Sequence, residues 1–153
     1  MSSLLRSLTD EVRPEYGLFA VANVIDGRLV GSSVDGTMEP RTRITAGHDG
    51  LIVETAYSDR YVHTVHNRFE RWAGPPPVDD WEELWSGRLL LKSELIGVEP
   101  WAAGYPHDME FDLGQGHTTW STRVATKVLR TEQEPGFRHA IARIELYKIQ
   151  FWT

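Results

Sequence analysis

Apolar and polar residues alternate with a period of two along much of this chain, a pattern that predicts strands rather than helices. The clearest case runs from Met109 to Leu129, where a corner at Gly114-Gln115-Gly116 joins two extended runs. Beyond the corner, Trp120, Thr122, Val124, Thr126 and Val128 share one face, and Thr119, Ser121, Arg123, Ala125 and Lys127 share the other. Such alternation, rich in β-branched residues, is what a strand with one buried side requires. The two glycines supply positive-φ positions at low steric cost, so a hairpin corner is expected there.

The same reading extends along the chain. Gly17 to Ile25 is apolar on both faces and reads as an interior strand, and Asp26-Gly27 turns it into a hairpin partner at Arg28 to Ser33. Thr42 to Thr45 reads as a short edge strand and Leu51 to Tyr57 as a half-buried one. In Arg60 to Trp72 the residues Val62, Val65, Phe69 and Trp72 have helical spacing. Its β-favouring composition and its neighbours nevertheless predict a strand. Pro75-Pro76-Pro77 cannot donate to a ladder and predicts a stiff, exposed connection, with Val78 to Trp85 following as a loop or single helical turn. Strands are expected again at Arg88 to Ile96, with Leu89, Leu91 and Leu95 inward, and at Phe137 to Trp152. At the N-terminus Leu4, Leu5, Leu8 and Val12 form one stripe, so Ser2 to Val12 suits a short helix ending before Pro14, or equally an ordered arm laid over the domain. The sum is an all-β protein, an antiparallel β-sandwich of about eight strands in one domain spanning residues 1–153, with 1–14 as arm or short helix.

Composition narrows the function classes. The 153 residues contain no cysteine, so a disulfide framework and a thiolate metal site are both excluded. No apolar run approaches the roughly 20 residues of a membrane span, and Arg6 interrupts the N-terminal leucines where a signal peptide would need an apolar core. A cytoplasmic location is the expectation. The formal net charge of -6 disfavours nucleic acid and anionic membranes and favours basic partners, although such a charge also simply keeps a protein in solution.

The candidate contact surface is Asp79, Asp80, Trp81, Glu82, Glu83 and Trp85, directly after the proline rod. Crowded carboxylates repel one another unless a cation relieves them. Tryptophan is a frequent interface anchor, and a stiff loop lowers the ordering cost of binding. The same residues suit a helix start, with Asp79 as cap, the acids favoured by the helix dipole, and Trp81 and Trp85 packed inward at i,i+4. Six histidines (His48, His63, His66, His107, His117 and His139) would need three or four to converge on a metal, and none has a metal-ligand spacing. His107 and His117 flank the same hairpin and, with Trp101 in its proline-containing loop, form an alternative ligand site. Glu110 and Asp112 share a strand face, as charged pairs on solvated edges commonly do. Arg60, Arg68 and Arg71 with Tyr61, Phe69 and Trp72 mix stacking and phosphate-binding types, against which stand the net charge and Glu70.

The runs GLIVETAYSD, WSGRLLLKSELIGV and MEFDLGQGHTTWSTRVATKV, with a tryptophan-containing loop between the first two, resemble the competence protein J family of small bacterial β-sandwich proteins. The likeness covers about Gly17 to Leu129 and centres on Asp112-Leu113-Gly114-Gln115-Gly116 before a long alternating strand. The known member of that family inhibits a nuclease by direct binding. The resemblance therefore implies a non-enzymatic, cytoplasmic binding protein with no cofactor and no catalytic residues to carry over. The N-terminal arm and the run from Phe137 to Trp152 depart from that pattern. The leading expectation is a protein-binding module that neutralises a basic nuclease or toxin in the manner of an inhibitor or immunity protein, with self-association left open. The alternatives are a sandwich that binds carbohydrate or a small ligand through loop tryptophans, and an enzyme with a histidine-lined site.

Overall fold

A computed structural model describes residues 2–14, 17–31, 43–56, 63–100, 107–130 and 143–153. Trp101, His139, Arg60, Tyr61, residues 32–42 and 131–136 and the start of the last predicted strand lie outside these residues. The described residues form eleven strands: β1 Leu4–Val12, β2 Leu18–Ile25, β3 Arg28–Val30, β4 Ile44–Ala46, β5 Gly50–Glu54, β6 His63–Trp72, β7 Glu82–Leu91, β8 Leu95–Pro100, β9 Asp108–Asp112, β10 Thr118–Arg130 and β11 Arg143–Trp152.

These strands make two packed sheets. The first has the order β1-β6-β11-β10-β7; the second has the order β4-β5-β2-β8-β9, with β3 paired to β2. The expected all-β sandwich is what the chain builds. Every pairing is antiparallel except β11 with β6, which run parallel. The core lies between the sheets, where alternate residues of facing strands meet. Phe69 stacks on Phe111 with ring centroids 5.6 Å apart, and Trp120 meets Phe151 edge-on at 6.5 Å. Phe19, Leu51, Leu89, Leu91, Ile96, Leu113 and Ile149 fill the remainder and are fully buried. The interior position predicted for β2 holds: it pairs with β5, β8 and β3, and Phe19 to Val24 are buried on both faces.

Three local expectations are corrected. Ser2 to Val12 forms no helix; from Leu4 it is the edge strand β1, pairing Leu8 with Phe69 and Val12 with Val65. A stripe of Leu4, Leu8 and Val12 fits both periods, and the cross-strand partner on β6 decides between them. Second, Met109 to Leu129 is not a hairpin. β9 pairs with β8 in the second sheet, while β10 pairs with β7 and β11 in the first. The corner therefore carries the chain from one sheet to the other. Gly114 at φ 83° is essential to it: a Cβ there would stand 2.5 Å from Arg71 Nη1, which donates to the Leu113 carbonyl. Third, Val78 to Trp85 is neither a loop throughout nor a helical turn, because β7 begins at Glu82.

Candidate functional site

The segment 73–81 owes its path to sheet geometry. β7 is antiparallel to β10, β10 to β11, and β11 is parallel to β6, so β6 and β7 point the same way with two strands between them. A chain joining two parallel strands must return to the far end of the sheet. Residues 73–81 do this in extended form over the outer face of β11 and β10, as a strap. Its three prolines hold it extended without needing ladder partners. Pro76 turns inward and is buried, whereas Pro77 and Val78 are exposed, Val78 almost completely at 91%.

Basic side chains on the outer face clasp this strap in sequence. Arg123 Nη2 on β10 donates to the Pro77 carbonyl at 3.1 Å. Lys148 Nζ on β11 donates to Asp79 Oδ2, and Lys127 Nζ on β10 to Asp80 Oδ2 at 2.9 Å. Lys148 also stands 4.2 Å from the centroid of the Trp81 ring, within cation–π range. Asp79 Oδ1 accepts the Trp81 amide at 3.0 Å, which turns the chain into β7. Partial burial would raise the Asp79 carboxyl, but the Lys148 hydrogen bond and charge outweigh it and hold its pKa low. The hydrogen bond and charge of Lys127 likewise hold Asp80 below the ordinary range.

A polar chain beneath the strap fixes these partners. Glu70 on β6, its side chain only 8% exposed, accepts Arg68 Nε at 2.7 Å, Gln150 Nε2 at 2.7 Å and Trp72 Nε1 at 3.0 Å. Gln150 Oε1 accepts Arg123 Nε at 2.7 Å, and Arg68 Nη1 donates to Thr9 Oγ1 at 3.0 Å. One run of hydrogen bonds thus ties β1, β6, β11 and β10 to the strap. Desolvation would push Glu70 upward, but its three donors win and lower its pKa.

Of the predicted contact residues, Asp79, Asp80 and Trp81 sit on the strap and Glu82, Glu83 and Trp85 open β7. Asp80 keeps 77% of its side chain in solvent despite its lysine. Glu82 and Glu83 are exposed, and neither side chain makes an ion pair or hydrogen bond with a described residue. Trp81 is half-buried under Lys148. Trp85 packs against the core with its indole laid over Gly87, where a Cβ would come within 2.4 Å of the ring. Lys127, Lys148, Arg123, Glu70 and Gln150 were not singled out from sequence. The signal available was the alternation itself, which puts Arg123 and Lys127 on the outward face of β10.

Of the alternative ligand residues, Trp101 lies outside the described residues, and His107 and His117 stand at opposite ends of β9. His107 precedes β9 and bonds Glu110 Oε1 at 2.7 Å, while His117 lies in the corner beyond the other end of β9. Five strand residues separate the two, about 17 Å at the usual rise. His48 is exposed at a turn, and His66 lies on the outer face of β6. No group of three or more histidines and carboxylates among the described residues is placed to hold a metal ion. Arg68 and Arg71 alternate to opposite faces of β6, so they form no shared phosphate site. Glu110 and Asp112 are exposed, and Asp112 pairs with Arg6 at 3.2 Å. A second buried polar group, inside the sandwich, is structural: Glu145 accepts the Tyr147 hydroxyl and the Ala56 amide, with Arg43 at 3.6 Å. Burial pushes the Tyr147 phenol far above its ordinary value, and the Glu145 carboxylate adds to the shift.

No protein-family model matches the chain, and no curated protein sequence matches it. Among solved structures it superposes on the crystal structure of ComJ from Bacillus subtilis, an inhibitor of the DNA-degrading activity of NucA. The TM-score is 0.58 over 100% of this chain and 98% of that one, at 14% identity. The chain has the ComJ fold. The sequence resemblance to the competence protein J family is therefore matched by a structural one, which extends beyond Gly17–Leu129 to the whole chain. The N-terminal arm and the C-terminal run, expected to be departures from ComJ, fall within that superposition. No helix among the described residues is long and apolar enough to cross a membrane.

Proposed function

We propose that this protein binds and neutralises a basic nuclease, and that its contact surface is the strap and the start of β7. The full-length likeness to a nuclease inhibitor is the observation that carries the proposal. The strap supports it physically. It is pinned by Arg123 at the Pro77 carbonyl and by Lys148 and Lys127 at the Asp79 and Asp80 carboxylates, so little ordering remains to oppose binding. Glu83 on the strap's face of β7, together with the largely exposed Asp80, presents negative charge to a basic face and favours fast encounter, with Glu82 adding charge at the exposed start of the strand. Trp81 and the adjoining Val78 supply apolar contact at the centre of that charge. Trp85 supports the surface from beneath.

The test is a titration of nuclease activity on DNA with the wild-type protein and with Glu82→Lys/Glu83→Lys, using a basic DNA-degrading nuclease captured from the source cells on the immobilised wild-type protein. Wild-type protein is expected to abolish cleavage at stoichiometric amounts. The charge reversal is expected to weaken inhibition at least about tenfold, with most of the loss removed at high salt. Equal inhibition by both proteins would exclude this surface, and cleavage untouched by either would exclude the function.

A further inference from the structure

We propose that β1 is a self-recognition edge, through which two copies of this chain join their first sheets into one continuous ten-stranded sheet. The two outer strands of that sheet differ. Both carry a register shift, β7 opposite Val124/Ala125 and β1 between Leu4 and Arg6, but β7 is also blunted because its Leu90 amide is taken by the His48 carbonyl. β1 pairs with β6 alone among the described strands, and all its residues except Leu8 and Val12 are exposed. Leu4 and Leu5 keep 41% and 51% of their surface in solvent.

Hydrogen-bond phase shows which groups are on offer. The Glu11 amide turns to its own neighbour, donating to Asp10 Oδ1 at 2.8 Å, so residue 11 points its backbone away from β6. Backbone groups of a strand alternate in direction, which puts the N–H and C=O of Thr9 and Ser7 on the same open side. An antiparallel second copy must match outward residues with outward residues.

Charge then selects the register. Arg6 and Asp10 lie on the same face of β1, opposite Arg71 and Asn67 of β6. When the two-fold axis passes through Leu8, Arg6 of each copy faces Asp10 of the other, Ser7 faces Thr9, and Leu8 faces Leu8. Slipping by one strand repeat in either direction sets Arg6 against Val12, or against Leu8, and loses both ion pairs. The side chains are available for this. Arg6 uses Nη1 toward Asp112 at 3.2 Å, which holds the guanidinium at the sheet edge with further donors free, and Asp10 keeps its Oδ2. Charges on an edge strand usually deter pairing. Here they deter every partner but one carrying the same sequence reversed. β7 and the end of the strap at Asp80 and Trp81 lie toward the other edge of the sheet, so this association leaves those contact residues uncovered and does not depend on them.

The experiment is sedimentation equilibrium over a concentration series on the full chain and three variants. Wild type is expected to show a monomer–dimer equilibrium. Ser7→Pro removes an outward amide that β6 does not use, which an edge strand tolerates, and is expected to stay monomeric with an unchanged circular dichroism spectrum. Arg6→Glu is expected to weaken association about tenfold, since each dimer loses two ion pairs and gains two repulsions, and Arg6→Glu/Asp10→Arg to recover it. Wild type that stays monomeric throughout would overturn the proposal, as would a folded Ser7→Pro that associates like wild type. If Ser7→Pro fails to fold, the charge pair decides: recovery in the double variant supports β1 pairing, and equal association in all three charge states overturns it.

Discussion

Replacing Trp120 by alanine is expected to cost about 3–5 kcal/mol of stability, which for a chain of this length corresponds to a fall in Tm of roughly 10–15 °C. Trp120 is fully buried, meets Phe151 edge-on and carries the Arg71 guanidinium 5.2 Å over its ring. It stands two residues into β10, just after the chain has crossed between sheets, so its loss opens a cavity where the layers are stitched together. Trp120→Phe is expected to recover most of the loss. The indole N–H has no hydrogen-bond partner, so phenylalanine gives up volume without stranding an acceptor. Thermal unfolding followed by circular dichroism measures both. A Trp120→Ala protein that melts within a few degrees of wild type would show that the packing at this crossing is wrong.

The second large effect belongs to Glu70. Glu70→Ala is expected to cost about 2–3 kcal/mol, because Gln150 and Trp72 lose their acceptor in a nearly dry site, while the more exposed Arg68 rehydrates. Its pH dependence has a definite sign. The folded protein lowers the Glu70 pKa below the ordinary 4.5, so the carboxylate stabilises the fold fully above pH 4.5. That contribution is lost as the pH falls from 4.5 through the lower, folded value. Glu70→Gln keeps an acceptor for its neighbours but has no proton to bind. The stability gap between wild type and Glu70→Gln, measured by urea titration, is expected to be constant near neutrality and to narrow on acidification. A gap that widens instead would mean that burial outweighs the three donors.

Much of this architecture is readable in the residues themselves, and the misreadings have physical causes. β2 announces itself because Phe19 to Val24 is apolar on both sides, as only a strand covered on both faces can be. β10 does so through strict alternation from Thr119 to Val128. The start of β7 hides because an edge strand with one side in water and a bulge in its register need not alternate; Glu82 and Glu83 look like loop for that reason. Leu4, Leu8 and Val12 satisfy helix and strand together, and the choice depends on β6, more than fifty residues away. The glycines of the 114–116 corner likewise report a sharp turn without reporting which sheet the chain turns into.

The site divides along the same line. The acids, tryptophans and proline rod of 75–85 form one continuous stretch, and their residue types alone mark them. Their lysines, Lys127 and Lys148, stand 47 and 69 residues from the aspartates they hold. Only the parallel placement of β6 and β11, which sends the strap across the sheet, brings those partners together. Local spacing carries no trace of that. What looks from sequence like uncompensated crowding is in part an internal clasp, and the charge left without a cation among the described residues is that of Glu82 and Glu83, beside an Asp80 whose side chain stays 77% exposed.

The proposed contact surface is tested most directly by a hydrogen-exchange footprint of the chain alone and mixed with a nuclease that it inhibits. Slowed exchange is predicted between Gly74 and Ser86, along the strap and into β7, with the β4 and β5 strands of the opposite sheet unchanged. Protection confined to that opposite sheet, leaving 74–86 as fast as in the free protein, would contradict it.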